Sequence, residues 1–434
     1  MLQAGFARID ITPPLGTSLQ GYYRIRYADG ILDPLLATAV AFENDGKLAV
    51  LISLDLIGCG QRFLDPIREA AAEKIGTDPE AIIIHCCHTH LGPKTGTGEA
   101  VEYIAKLKTY ICDLVQLAVQ DLKPVTEKKF TRGRVVDVAF VRRYRMKDGT
   151  AATNPGRLNP DIVAPIGTAD EQSQLLILKR GRAPEIGIVN FQVHPDMING
   201  CTISADFPHF VRTTYEKLIE NSRCVYINGT QGNINHIDVR LPKEINSGYK
   251  WARYAGIEIA ASVISRYELA EELEGDEIRY GIKDTTVQIR QGTPEQREQA
   301  EQIWKVFKDN GSSKDIANAF IKEHGWDMTV PEAGRLARLE PEKEKALHLS
   351  AIAVGEVVFA GFPGEPFVDV GRGTKARSPF TLTMPLCLAN GAEGYYPMAE
   401  DYHEDGYEYR VAKYEEGTAE QLIDTSVELL NSLR

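Results

Sequence analysis

The 434-residue sequence predicts an α/β (mixed α+β) fold, with mixed sheets covered by helices, in one continuous domain spanning residues 1–434. Three observations carry that expectation. Short apolar, β-branched runs recur along the chain. Charged amphipathic runs of helical period separate them. No Gly/Ser/Pro-rich linker, low-complexity tract or internal repeat divides the chain. Apolar content of 43% and charged content of 25% are those of an ordinary globular protein.

In chain order, "ATAVAFEN" and "LAVLISLDL" read as strands over 38–44 and 48–55, joined by the turn Asp45-Gly46. "QRFLDPIREAAAEKI" reads as a helix, "AIIIHC" as a short buried strand, and "AVEYIAKLKTYICDLVQLAVQDL" as a long amphipathic helix. "QLLILKR" and "EIGIVNFQV" form a strand pair around Gly181, and "RCVYING" is a further strand. Residues 294–340 differ: two charged helical runs suggest an insertion on the outside of the fold. "ALHLSAIAVGEVVFAGF" returns as a hairpin turning at Gly355-Glu356, and "TLTMPLCLANG" is a late strand. "TAEQLIDTSVELLNSL" closes as a helix, with Leu422, Ile423, Val427, Leu430 and Leu433 on one face.

Several function classes are disfavoured. Net charge is −12 and basic residues are scattered, which argues against nucleic acid, where a clustered basic face supplies most of the affinity. No apolar run approaches the roughly 20 residues of a membrane span, and no basic amphipathic helix suggests stable membrane association. "MLQAGFARIDITPP" has no basic segment followed by an apolar one, so a cytoplasmic protein is expected. Seven scattered cysteines without a Cys-x-x-Cys pair fit reduced thiols, not a disulfide framework or a tetracysteine zinc site. The expected partner is a small-molecule substrate; the sequence does not fix the oligomeric state.

"IIIHCCHTHLGP" places three of the nine histidines, His85, His88 and His90, within six positions. If the strand continues through them, His88 and His90 share a face. A His-x-His pair at a strand's C-terminal end is a common way to present imidazoles to zinc. The same pattern also suits a hydrogen-bonded polar strand end. Three more strand ends carry reactive residues: His194 in "VNFQVHPDM", Glu365 in "VVFAGFPGEPF", and Tyr395 and Tyr396 in "LANGAEGYYP". A carboxylate leaving a core strand is costly unless it finds a cation. Sequence alone does not bring these four strand ends together.

These residues carry a family likeness. "GFARIDITPP", "HTHLGP", "NFQVHPD", "SADFP", "FPGEPF", "ANGAEGYYP" and "YHEDGYE" occur in the order of corresponding segments of the neutral/alkaline (non-lysosomal) ceramidase catalytic domain and its shorter bacterial relatives. The chain resembles that family over nearly its whole length. The resemblance implies a zinc amidase whose Zn²⁺ is held by His88, His194, Glu365 and Tyr395. His90 then contacts substrate or supports the ligands. Arg142, in "VRRYRM", matches a family arginine near the substrate carbonyl. Arg143 and Tyr396 are the neighbouring alternatives to Arg142 and Tyr395.

The likeness breaks at one motif. Larger members carry Gly-Asp-Val-Ser-Pro-Asn, whose serine is implicated in catalysis; here "GTQGNINHID" keeps Gly232 and puts Asn235 at the serine's place. An amide is no nucleophile, so water activated by zinc is the simpler expectation, with Asn235 a hydrogen-bond donor to the oxyanion. His236 and Asp238 are candidate bases. Long ceramidases also continue into a C-terminal β-sandwich-like domain, which is not expected here. The lead expectation is therefore a zinc-dependent hydrolase of an amide, ester or lactone in a small or medium soluble substrate. The alternatives are a true ceramidase and a zinc-containing protein without catalysis.

Overall fold

The computed structural model describes residues 1–96, 100–339 and 341–434. Its elements are mixed α and β, and the three larger sheets share one plan. The first contains β1 (Gln3–Asp10), β2 (Leu36–Asn44), β3 (Lys47–Leu54) and β4 (Ile82–Cys86), with Lys123–Pro124 at its edge. The second contains β5 (Glu127–Arg134), β6 (Gln172–Arg180), β7 (Ala183–Phe191) and β8 (Ser222–Asn228), with Glu271–Glu272 at its edge. The third contains β9 (Ile278–Gln288), β10 (Glu344–Val354), β11 (Val357–Gly361) and β12 (Leu382–Leu386). In each, three strands pair antiparallel and the fourth joins the third in parallel.

A parallel pair needs a crossover, and each unit supplies a helix for it. These are α1 (Gln61–Ile75) in the first unit and Phe207–Leu218 and Val368–Arg377 in the others. A further helix follows each fourth strand: Ala100–Gln120, Tyr249–Ile264 and Thr418–Ser432. The chain thus repeats one strand–helix plan three times, although no repeat is visible in the sequence.

Alternation along the strands sends one set of side chains inward. Val40, Phe42 and Leu51 of the first sheet, Leu176, Ile188 and Val225 of the second, and Ile352, Phe359 and Met384 of the third form one shared core. The other faces are covered by the helices, in two separate clusters. The sheets therefore stand around a common centre with helices outside.

Most elements match the sequence reading to within two residues. Residues 294–339 carry the two expected helices, Pro294–Asp309 and Lys314–His324, and a third that was not expected, Val330–Leu336, around a small apolar core of their own. They sit in the connection between β9 and β10. The same connection in the other units, residues 11–35 and 135–171, is also long. Because β1, β3 and β4 run in one direction, residues 11–35 leave the sheet at the end where β3 and β4 finish. The other two units repeat this, so all three excursions gather at the C-terminal ends of the parallel pairs.

Candidate metal centre

Each predicted site residue follows one of those strand ends. His88 lies just beyond β4, His194 beyond β7, Glu365 beyond β11 and Tyr395 beyond β12. The expectation that a strand runs through His88 and His90 does not hold. β4 ends at Cys86, and His88 adopts φ of 80°, a left-handed conformation costly for a residue with a Cβ. That turn, and not strand alternation, brings His90 back against His88. Glu365 and Tyr395 meet through main-chain pairing of Glu365–Pro366 with Tyr395–Tyr396 in parallel.

The donor atoms converge. The Nε2 atoms of His88 and His194 each lie 3.2 Å from Oε2 of Glu365. His90 Nε2 is 3.3 Å from His88 Nε2, and the three imidazoles present nitrogens within 4.8 Å of one another. The His-x-His spacing offered His90 as a donor and the family likeness set it outside the ligand set; the structure gathers it with His88 and His194. His88 Nδ1 donates to the Ile57 carbonyl at 2.6 Å, and His194 Nδ1 donates to the carbonyls of Gln231 and Ile234, both at 2.9 Å. Those bonds fix the tautomers and leave both Nε2 lone pairs facing Glu365. Glu365 Oε2 is buried without a hydrogen-bond donor.

A carboxylate oxygen among imidazole nitrogens needs positive charge beside it, from a bound cation or from a protonated imidazole. Tetrahedral zinc with bonds of roughly 2.0–2.1 Å spaces its ligand atoms by roughly 3.3 Å, close to the separations found. The imidazoles and the carboxylate also act on one another's charge. Burial pushes the His88 imidazole down, but the Glu365 carboxylate outweighs it and the net shift is upward. Burial would raise Glu365, yet His88 and His194 hold its carboxyl well below the usual range. The donor set fits zinc.

Arg142 stands beside the cluster on a main chain fixed by Phe140–Val141 pairing with Ile234–Asn235. Its Nη1 is 3.4 Å from His194 Nε2, its Nη2 donates to the Gly232 carbonyl at 2.6 Å, and its Nε meets Glu408 Oε1 at 2.5 Å. Glu408 is fully buried and also accepts from Thr153 Oγ1 at 2.6 Å. The Arg142 guanidinium lies 5.3 Å from the centre of the Tyr395 ring. Burial, then the Glu365 carboxylate, raise the Tyr395 phenol far above its ordinary value. The two alternatives point elsewhere. Arg143 pairs with Asp401, and Tyr396 donates to the Pro363 carbonyl at 3.3 Å while stacking on Tyr414.

The remaining candidates lie further out. Asn235 is buried; its Nδ2 donates to Asn154 Oδ1 at 2.8 Å, and Asn154 in turn donates its main-chain N–H to the Arg142 carbonyl at 2.7 Å. His236 pairs with Asp196 at 3.1 Å, and Asp238 with Arg240 at 2.7 Å. His85 is not part of the site: its Nδ1 donates to the Cys387 carbonyl and its Nε2 accepts from the Asn228 N–H, deep in the core. Glu408 was missed. Its motif "YHEDGYE" marks the segment, but nothing local shows that this acid is buried against Arg142.

A cavity of about 310 Å³ opens onto His88 and Glu365, between Ile57, Phe63, Thr95 and Leu388. A larger one, about 450 Å³, lies away from the cluster, and its cations already have partners: Lys375 on Asp170, Arg372 on the Ala169 carbonyl and Arg132 on the Thr381 carbonyl.

No family model matches the sequence, and no curated protein matches it. Solved structures do. Neutral ceramidase from Pseudomonas aeruginosa superposes with a TM-score of 0.73 at 18% identity, over 100% of this chain and 75% of that one. The chain has the neutral ceramidase fold. A ceramidase complexed with C2 aligns as well, with a TM-score of 0.72, 17% identity and the same coverage of both chains. The ceramidase-like fold expected from the ordered motifs is thus present from end to end.

Proposed function

We propose that the chain is a zinc-dependent hydrolase of the neutral ceramidase superfamily, cleaving an amide, ester or lactone bond in a small soluble substrate. The observation that carries this reading is the convergence of His88, His194 and Glu365 at 3.2 Å, with both imidazoles' Nδ1 protons held by main-chain carbonyls. His88, His194, Glu365 and Tyr395 would hold the metal, with His90 close enough to join them. When bound, zinc supplies a Lewis acid and a water that ionises near neutral pH. Arg142, aligned by Glu408, orients the scissile carbonyl and offsets the charge developing on its oxygen. Burial, and then His88, push His90 down to about 3, so it meets the substrate as a neutral imidazole. Asn235 has one amide hydrogen on Asn154 and a second for the oxyanion. On substrate binding Tyr395 leaves the ligand set, and its phenol supplies a proton or hydrogen bond to the leaving group.

A true ceramidase is the second reading, favoured by the fold shared with ceramidases; a cavity of about 310 Å³ at the small end of ligand sites favours smaller substrates. The test is elemental analysis of purified protein beside His88→Ala and His194→Ala, with assays on short N-acyl amides, lactones and detergent-dispersed ceramide. About one zinc per chain, lost in both variants, and turnover of short substrates are expected. Turnover of ceramide alone would establish the second reading. Zinc without any turnover would leave a binding protein, and no zinc uptake would end the proposal.

A further inference from the structure

The larger cavity, of about 450 Å³, lies away from the metal cluster, where the second and third units meet. Arg132 reaches its wall from β5 and Gln174 from β6. Arg372 and Lys375 come from the helix Val368–Arg377, and Phe380 precedes β12. In a chain of net charge −12 this wall is positive. Among the described residues that line it, Asp170 is the one acid against Arg132, Arg372 and Lys375.

The bonds these cations already make hold them on the wall and leave donors over. Arg132, stacked on the Phe130 ring at 4.8 Å, gives Nη2 to the Thr381 carbonyl at 2.6 Å. Arg372 gives Nη1 to Asp369 at 3.1 Å and Nη2 to the Ala169 carbonyl at 2.6 Å. The Lys375 ammonium meets Asp170 at 2.6 Å and Gln172 at 3.3 Å. A guanidinium has five N–H groups and an ammonium three, so each cation keeps hydrogens to give.

A second observation is independent of charge. Gln174 lines the same cavity and is 2% exposed, yet it makes no hydrogen bond among the described residues, and its Oε1 is buried without a donor. The hydroxyls beside it are engaged: Thr383 donates to Ser378 at 2.6 Å and Thr381 to Glu356 at 3.0 Å. An unpaired buried amide is costly, and it calls for one group that accepts and one that donates. Guanidinium forks match phosphate oxygens, and a phosphate monoester brings close to two negative charges. A hydroxyl on its carbon chain supplies the donor that Gln174 lacks, and Phe380 and Ala376 give that chain an apolar side. The volume is that of a small-molecule site.

We infer that this cavity binds a phosphate monoester of a small hydroxylated carbon chain, with the phosphate on Arg132, Arg372 and Lys375 and a hydroxyl on Gln174. The site is separate from the metal centre and does not rest on the hydrolase reading.

The test is calorimetric titration of the zinc-supplemented full chain with glycerol 3-phosphate, beside inorganic phosphate and glycerol. Glycerol 3-phosphate should bind wild type at one site, about tenfold tighter than inorganic phosphate, and glycerol should not bind. Arg132→Gln removes an exposed cation and Gln174→Leu removes the amide at similar volume. Each should weaken binding about tenfold. Gln174→Leu should keep or raise the thermal midpoint, since it removes an unpaired buried amide, so its lost binding is not lost folding. Wild-type affinity in both variants would put the phosphate elsewhere, such as on the zinc, and overturns the inference. Equal affinity for inorganic phosphate, or no saturable binding of glycerol 3-phosphate, overturns it too.

Discussion

His85, His88 and His90 are equal in the sequence and differ in what their Nδ1 atoms meet. His85 gives its proton to Cys387 and His88 to Ile57, whereas His90 Nδ1 is buried without a partner. Only the second arrangement aims a lone pair at Glu365. Residue type and position at a strand end marked His88, His90, His194, Glu365, Tyr395 and Tyr396 as candidates; the family likeness narrowed them to His88, His194, Glu365 and Tyr395. The His-x-His spacing offered His90 as a donor and the likeness set it aside; its actual approach depends on the left-handed turn at His88, which the spacing does not show. Neither could show Glu408, because the burial of a charge is decided by a partner far away in sequence. Tyr395→Phe separates ligand from proton donor. Loss of the hydroxyl should lower kcat by about 10²–10³-fold, the usual effect of removing a hydrogen-bond donor from a developing charge. Zinc content and turnover both staying at wild-type level would remove Tyr395 from the mechanism.

At the scale of elements, short apolar runs announced the strands because a strand buried on both faces has little room for polar residues. Of the three crossovers only α1 was legible as a helix; Phe207–Leu218 and Val368–Arg377 were not read, nor that each crossover returns to a parallel partner, since pairing leaves no local mark. His85 shows how strand ends are tied. From β4 it reaches β8 through the Asn228 N–H and the segment after β12 through the Cys387 carbonyl. Burial pushes its pKa down to about 4, so it stays neutral in the fold while the unfolded chain takes up a proton near 6.5. Its stabilising contribution is therefore present above about pH 6.5 and lost as pH falls toward 4, at most about 3 kcal/mol. Urea unfolding at pH 7 and pH 4.5 should show a smaller loss in His85→Gln than in wild type. Equal losses in the two would assign the acid sensitivity to other groups.

For the whole molecule, three sheets close around one core, and the residues that would hold the metal follow strands of all three. Sequence reading found no repeat: equivalent strands share only hydrophobic pattern, and the excursions between first and second strands differ in length and content. A ligand set spread over three units ties metal binding to the assembled state, so zinc acts on global stability. At a hundredfold excess over its Kd, zinc should stabilise wild type by about 2.7 kcal/mol, read as a rise in thermal midpoint that a chelator reverses. His194→Ala should show none of that rise; a full response there would place the binding elsewhere. No helix among the described residues is long and apolar enough to cross a membrane.

The three excursions occupy one topological slot, beyond the end of each first strand, and contribute Tyr22 against His90, Arg142 against His194, and Phe307 against Tyr23. None of them contributes to the core shared by the sheets. The scaffold thus separates heredity from taste. Residues 11–35 and 135–171 also feed the outer core, through Leu19, Leu35, Val138 and Val141, whereas the 294–339 helices keep a core of their own, which makes that third segment the practical one for grafting.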